Sequence, residues 1–216
     1  MKTISYAITV CNEHEELDRL LTQLVKYKRP EDEIVVQMDV LQNDITTLPE
    51  DKKKVLGYIM NLQEQGYIRV ILHSLNNDFA LFKNNSKKNT KKDYYFCLDA
   101  DEYLTDTLML NLGDVLELNP EVDIYAVPRI NTVLGLTDED INRWGWTVNE
   151  KGWVNYPDMQ TRICKNTSSI YWAGKVHERL TSDTGAYVMM LPEGFELIHT
   201  KDIERQRKQN NFYKTL

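Results

Sequence analysis

No glycine-rich turn follows any apolar run of this 216-residue chain; Gly-x-Gly-x-x-Gly and the Walker loop are both missing. That excludes the backbone cradle with which NTPases and dinucleotide enzymes hold phosphate, so any phosphate must be held by side chains or a cation. Cysteine is scarce. Cys11, Cys97 and Cys164 lie far apart, in none of the spacings of a zinc site or a disulfide framework, which predicts free thiols in a reducing cytoplasm. No apolar run is long enough to span a bilayer and no secretory pattern starts at Met1-Lys2-Thr3, so the expectation is a soluble, cytoplasmic protein. Peripheral membrane contact is left to a basic C-terminal helix. A net charge of −7 argues against general nucleic-acid binding, and neither internal repeats nor low-complexity segments occur.

What is present is most informative between Asp93 and Leu104. The apolar run Tyr94-Tyr95-Phe96-Cys97-Leu98 reads as a buried strand that delivers Asp99 and Asp101, with Glu102 behind them. Two carboxylates one residue apart at a strand end can share a hard divalent cation, and that cation can hold a diphosphate. The same spacing recurs at Asp138-Glu139-Asp140 inside a polar stretch, where a solvated loop is expected, so context separates the two. The plainer reading of Asp99 and Asp101 is a carboxylate pair that favours the dipole of the next helix.

The first half alternates strand and helix signals, as a parallel sheet with crossover helices requires. Strands are predicted over 4–10, 33–38, 67–72, 94–98 and 124–128, and helices over 15–27, 79–90 and 107–118. A further helix, carrying Val55, Leu56, Ile59, Met60 and Leu62, is predicted to open on a Thr47/Glu50 capping box and stop at Gly66. After Arg129 the pattern changes to a loop rich in Trp, Gly and Asn over 131–156. Short strands near 161–164, 170–172, 187–191 and 195–198 follow, with a basic helix over 203–216. Residues 1–129 therefore read as a ligand-binding α/β half, and 130–216 as a second functional region of the same domain.

Ligands of open α/β sheets bind beyond the carboxyl ends of the strands, which collects Cys11 to Glu13, Asp39, His73 to Asp78 and Asp99 to Glu102 on one rim. Asn12, Glu13 and Asp39 offer groups that suit a base edge and ribose hydroxyls, while Lys83 and Asn84 suit sugar or phosphate. Among the four histidines, His199 ends an apolar strand and is the first choice to complete a metal sphere beside the aspartates. Trp144, Trp146 and Trp153 offer faces for stacking on a sugar, or core anchors.

The order of these motifs resembles the GT-A glycosyltransferases of family 2. The match runs through Ile8-Thr9-Val10-Cys11-Asn12-Glu13, Ile34-Val35-Val36 with Asp39, Asn77-Asp78-Phe79-Ala80 with Lys83-Asn84, and Phe96-Cys97-Leu98-Asp99-Ala100-Asp101-Glu102. Trp153 to Ile163, Val176-His177-Glu178, and Ile198-His199 with Lys208-Gln209-Asn210 and Tyr213 are similar to its lipopolysaccharide-core glucosyltransferase branch. The segment Gln37 to Asp44 departs from the family in lacking a Ser/Gly-rich turn.

The resemblance implies a GT-A, Rossmann-like, mainly parallel sheet flanked by helices, with short strands and a terminal helix on the acceptor side. It implies a nucleotide-diphospho-sugar donor, a UDP-sugar first, bound by Thr9, Asn12, Glu13, Asp39, Lys83 and Asp99. It further implies Mn²⁺ or Mg²⁺ on Asp101, Asp99 and His199, and a glycan or other hydroxyl-bearing acceptor. Glu178 or Asp158 is the base of an inverting transfer, Glu178 being preferred. The plain alternatives are ion pairs, Glu178 with Arg179 or Lys175 and Asp158 with Arg162. Two other functions compete: a nucleotidyltransferase, which wants a Gly-rich loop near the first strand, and a nucleotide-sugar binding module without turnover.

Overall fold

The computed structural model describes residues 1–40 and 44–213. Residues 41–43 of the segment after the second strand, and 214–216 of the basic helix with its Lys214, lie outside the described residues. The chain is a mixed, mainly parallel sheet flanked by helices, an α/β Rossmann-like fold.

Four parallel strands build the first half: β1 (Ile4–Val10), β2 (Glu33–Asp39), β3 (Arg69–His73) and β4 (Tyr94–Asp99), in the spatial order β3-β2-β1-β4. The crossovers are α1 (His14–Tyr27), α2 (Glu50–Glu64) and α3 (Phe79–Lys88). Alternation along the strands splits the core between the two faces of the sheet. Tyr6, Ile8, Phe96 and Leu98 join Leu17, Leu20, Leu21 and Leu24 of α1 on one face. Ala7, Tyr95 and Cys97 meet Ala80 of α3 on the other.

The short strand β5 (Glu102–Leu104) and α4 (Asp106–Leu118) follow. The sheet then continues with β6 (Ile124–Leu134), β7 (Val154–Lys165) and β11 (Leu197–Asp202) in the order β4-β7-β6-β11-β5. β7 is antiparallel to both β4 and β6, so strands from both halves of the chain share one sheet. Between β7 and β11 the chain forms a hairpin of β8 (Ile170–Ala173) and β9 (Arg179–Ser182), then the short strand β10 (Val188–Met190) beside β6. The helix α6 (Ile203–Tyr213) closes the described chain.

Three expectations are corrected. The Thr47/Glu50 capping box does not form: α2 begins at Glu50 after Pro49, and the Thr47 hydroxyl donates to Asp44 at 3.3 Å. Proline pre-sets the backbone there, and the first-turn amide of Lys52 donates instead to Asp51 Oδ1 at 2.9 Å. The loop over 131–156 instead contains the end of β6, the helix α5 (Asp138–Trp144) and the start of β7. The Asp138-Glu139-Asp140 stretch is therefore the first turn of a helix, with Asp140 buried and paired to Arg207 at 2.9 Å.

The helix that carries Lys83 does have a side-chain cap, in which Asp78 Oδ1 accepts from the Leu81 amide at 2.8 Å. Asp78→Ala is expected to lower the free energy of unfolding by about 1 kcal/mol, read by urea denaturation. An unchanged midpoint would show that the cap contributes nothing.

Candidate functional site

The carboxyl ends of β1, β2 and β4 open into a cleft of about 880 Å³, walled on its far side by β6, β7, the β8–β9 hairpin and α6. Register sets its floor. Thr9 and Asp99 are partners on neighbouring parallel strands, and the Thr9 hydroxyl donates to Asp99 Oδ1 at 3.1 Å. Arg129 and Asp158 face each other across the antiparallel β6–β7 pair, and the guanidinium donates to Asp158 Oδ2 at 2.7 Å.

Glu102 lies beneath this floor with a fully buried side chain. Its Oε1 accepts from Arg129 at 3.0 Å and Arg162 at 2.6 Å, and its Oε2 accepts the Asp99 amide at 3.1 Å. Arg162 reaches on to Asp99 Oδ2 at 2.7 Å, and the Lys83 ammonium is 3.1 Å from the other oxygen, Asp99 Oδ1. Burial alone would raise the Asp99 pKa, but Arg162 and Lys83 together hold it well below the usual carboxylate range. Burial is likewise outweighed at Asp158, where Arg129, Asn131 and Gln160 hold the pKa down.

Lys83, 5% exposed, also bonds Glu178 Oε1 at 2.7 Å and lies 4.9 Å from the Trp172 ring centroid. Glu178 is thus paired to a lysine from α3, not to Arg179 or Lys175, and Asp158 to Arg129, not Arg162. Of the residues expected to bind the nucleotide, Thr9, Glu13, Asp39, Lys83 and Asp99 line the cleft. Asn12 does not: it is exposed, and its amide donates to Asp51 at 2.8 Å. Asp39 accepts from Lys52 at 2.7 Å and from the Leu75 amide at 2.9 Å. Glu13 closes the turn after β1 by accepting the Cys11 and Asn12 amides, and Arg205 of α6 reaches it at 3.0 Å.

Among the described residues, no group of three or more His, Cys, Asp or Glu side chains is arranged to hold a metal ion. Asp99, Asp101 and His199 therefore do not converge as a set, because the Asp99 oxygens are already held by Thr9, Lys83 and Arg162. Asp101 and His199 do meet, with Oδ2 and Nε2 3.4 Å apart. Asn131 donates its amide N–H to Asp158, which turns its oxygen to His199 Nδ1 at 2.7 Å and places the imidazole proton there. His199 Nε2 then faces Asp101 as a lone pair facing a carboxylate, an arrangement that calls for a cation or a proton between them. This donor pair fits a hard divalent ion that takes its remaining ligands from water and phosphate. Lys201 and Arg205 stand 3.5 and 3.6 Å from the same Asp101 oxygen. Burial opposes ionisation of Asp101, but when a proton sits on His199 Nε2 its hydrogen bond and charge, together with the charge of Lys201, push the Asp101 pKa far down.

Sequence reasoning named none of Lys52, Asn131 or Lys201 as a site residue. A lone lysine in a helix, or an asparagine in a strand, carries no local signal; only strand order brings them to the rim.

No family model and no curated protein matches this chain. Solved structures do. The fold is that of S. aureus TarS. The complex of TarS 1-349 with UDP superposes with a TM-score of 0.59 at 15% identity, over 93% of this chain and 60% of that one. The complex with UDP-GlcNAc gives 0.56 at 17% identity, over 93% and 59%. The chain thus spans about 60% of the TarS 1-349 chain. The likeness is one of fold alone and does not show the lipopolysaccharide-core branch. Among the described residues no helix is long and apolar enough to cross a membrane.

The cleft aspartates make a pH prediction. Asp99, Asp101 and Asp158 have folded pKa values below the ordinary value of about 3.9, so they stabilise the fold above that pH and lose that contribution as pH falls towards their folded values. The free energy of unfolding is expected to fall from pH 5 to pH 3, less steeply in Asp158→Asn. Parallel curves for variant and wild type would show that the Arg129–Asp158 pair does not carry this dependence.

Proposed function

We propose that this chain is an inverting glycosyltransferase that moves a sugar from a UDP-sugar to an acceptor hydroxyl. The observation that carries the reading is the cleft itself, in which Lys83 joins Asp99 at the nucleotide end to Glu178 on the opposite wall. The TarS fold, crystallised with UDP and UDP-GlcNAc, supports the donor class.

In this reading residues 1–129 hold the donor and 130–216 receive the acceptor, in the cytoplasm. Asp39 and Glu13 meet the base and ribose. Asp101 and His199 would hold Mn²⁺ or Mg²⁺, which would offset the diphosphate charge and improve the leaving group. Lys83 orients the Glu178 carboxylate through Oε1. Glu178 takes the proton of the acceptor hydroxyl as that oxygen bonds to the anomeric carbon from the face opposite the departing diphosphate. The electrons of the breaking C–O bond leave with the diphosphate. Asp158 is the poorer base: Arg129 and Asn131 occupy one of its oxygens, Gln160 bonds the other, and its proton affinity is depressed.

UDP-GlcNAc and UDP-glucose, with MnCl₂, are expected to raise the melting temperature of the wild type, and the metal-dependent part to vanish in Asp101→Ala. A panel of UDP-, GDP-, ADP- and CMP-sugars that leaves the melting temperature unmoved, with or without metal, removes the reading. Glu178→Gln is expected to retain UDP affinity while lowering transfer by about 10²–10⁴-fold. Wild-type turnover in that variant would take Glu178 out of the mechanism. Donor binding without turnover on any acceptor would instead favour a binding module.

A further inference from the structure

In the lining of the cleft, α6 presents Gln206, Gln209 and Asn210, whose i, i+3, i+4 spacing puts three amides on one helical face. Two hydrogen bonds orient these side chains: Gln206 donates to Asn210 at 2.9 Å, and Lys201 donates to Gln209 at 2.8 Å. The helix is pinned from outside by Arg207 to Asp140 of α5 and by Arg205 to Glu16 at 2.6 Å.

Immediately after α5 the chain reverses through Gly145, whose φ of +64° lies in the left-handed region, so the Trp146 amide donates to Ile141 O at 3.1 Å. Trp146 lines the same cleft, and its ring is steadied by Trp144, with centroids 4.5 Å apart. Trp153, by contrast, packs on Tyr156 and is not part of the lining.

A half-buried indole face and side-chain amides in the lining of one cleft suit a polyhydroxylated, uncharged ligand. Sugar C–H groups lie on the ring, and each amide serves a hydroxyl as donor and acceptor at once. The charges point the same way. Lys83, Arg129, Arg162 and Lys201 in the lining each hold a carboxylate of the chain, which leaves Arg179, exposed at the start of β9, as the one lining lysine or arginine without such a partner among the described residues. An anionic acceptor would meet few uncommitted cations.

We infer that Trp146 and the amide face of α6 form a subsite for a neutral glycan. Its role as the acceptor site rests on the glycosyltransferase reading; its affinity for sugar does not. The experiment is calorimetric titration of the full chain, without donor, with neutral trisaccharides ending in glucose, galactose or N-acetylglucosamine, and with the 6-phosphate of each. At least one neutral trisaccharide is expected to bind more tightly than its phosphorylated form. Trp146→Ala and the double variant Gln206→Ala/Asn210→Ala are each expected to weaken it about tenfold, which is about 1.4 kcal/mol. Trp146→Phe, which keeps an aromatic face, should restore most of the affinity, and UDP affinity should stay within about twofold in all three. Absence of neutral-sugar binding, tighter binding of the phosphorylated forms, or full affinity in Trp146→Ala overturns the subsite. UDP titrated separately keeps the two readings apart: sugar binding without UDP binding sinks the transferase and leaves the subsite standing.

Discussion

The cleft depends on one buried carboxylate. A charge with no access to water survives only when it is paired and hydrogen-bonded, and Glu102 meets both conditions through two arginines and a backbone amide. Because the amide belongs to Asp99, the bond closes the turn between β4 and β5. Because the arginines come from β6 and β7, it also ties that turn to the other half of the sheet. Each arginine then extends the charge alternation by one step, Arg162 to Asp99 and Arg129 to Asp158. The orientation of both cleft aspartates is thus set from below, by a residue that does not line the cleft.

Lys83 plays the complementary part from above. A lysine at the bottom of a cleft is costly to bury unless its charge is matched, and it is matched twice, by Asp99 and by Glu178. Asp99 lies on the parallel half of the sheet, whereas Glu178 sits just before β9 on the opposite wall. One ammonium therefore fixes the separation between the nucleotide end and the carboxylate proposed as base. Any ligand anion drawn towards Lys83 competes with both partners, so occupation of the nucleotide end and placement of Glu178 are electrostatically linked.

Much of the sheet was legible because buried parallel strands read as continuous apolar runs: Ile4–Val10 and the run from Tyr94 were visible for that reason, and with them the position of Asp99 and Asp101 on a strand rim. The acceptor side was harder to read. β7 is twelve residues long, but Asn155, Asp158, Gln160 and Arg162 interrupt its apolar pattern, since they face the cleft or the charge network instead of a helix. β5 and β9, at three and four residues, carry no periodic signal, and β9 is held by a hairpin with β8. Ion-pair partners were misread for one physical reason. Local reasoning pairs Glu178 with its neighbours Lys175 and Arg179, whereas the docking of α3 on the β8–β9 hairpin, where Asn84 bonds the Trp172 backbone, brings Lys83 to Glu178 from about ninety-five positions away.

The two Asp-x-Asp stretches show where spacing stops being informative. Asp138 and Asp140 begin a helix, where Thr137 and Asp140 exchange hydrogen bonds and Arg207 completes the pairing; both Asp140 oxygens are consumed in joining α5 to α6. Asp99 and Asp101 end a strand, and their neighbours divide the labour. Asp99 is committed to the internal charge network, while Asp101 projects towards an imidazole whose tautomer is set by Asn131 and Asp158. The residues between the aspartates differ as well: buried Ala100 keeps the turn tight against the sheet, whereas Glu139 is exposed on a helix surface. A pair at a strand end becomes a candidate ligand site when one carboxylate anchors the internal charge network and the other is left in the cleft lining, facing side chains of a distant strand. The pair at Asp138 fails that condition because Asp140 is spent on packing and Asp138 is exposed on the helix surface.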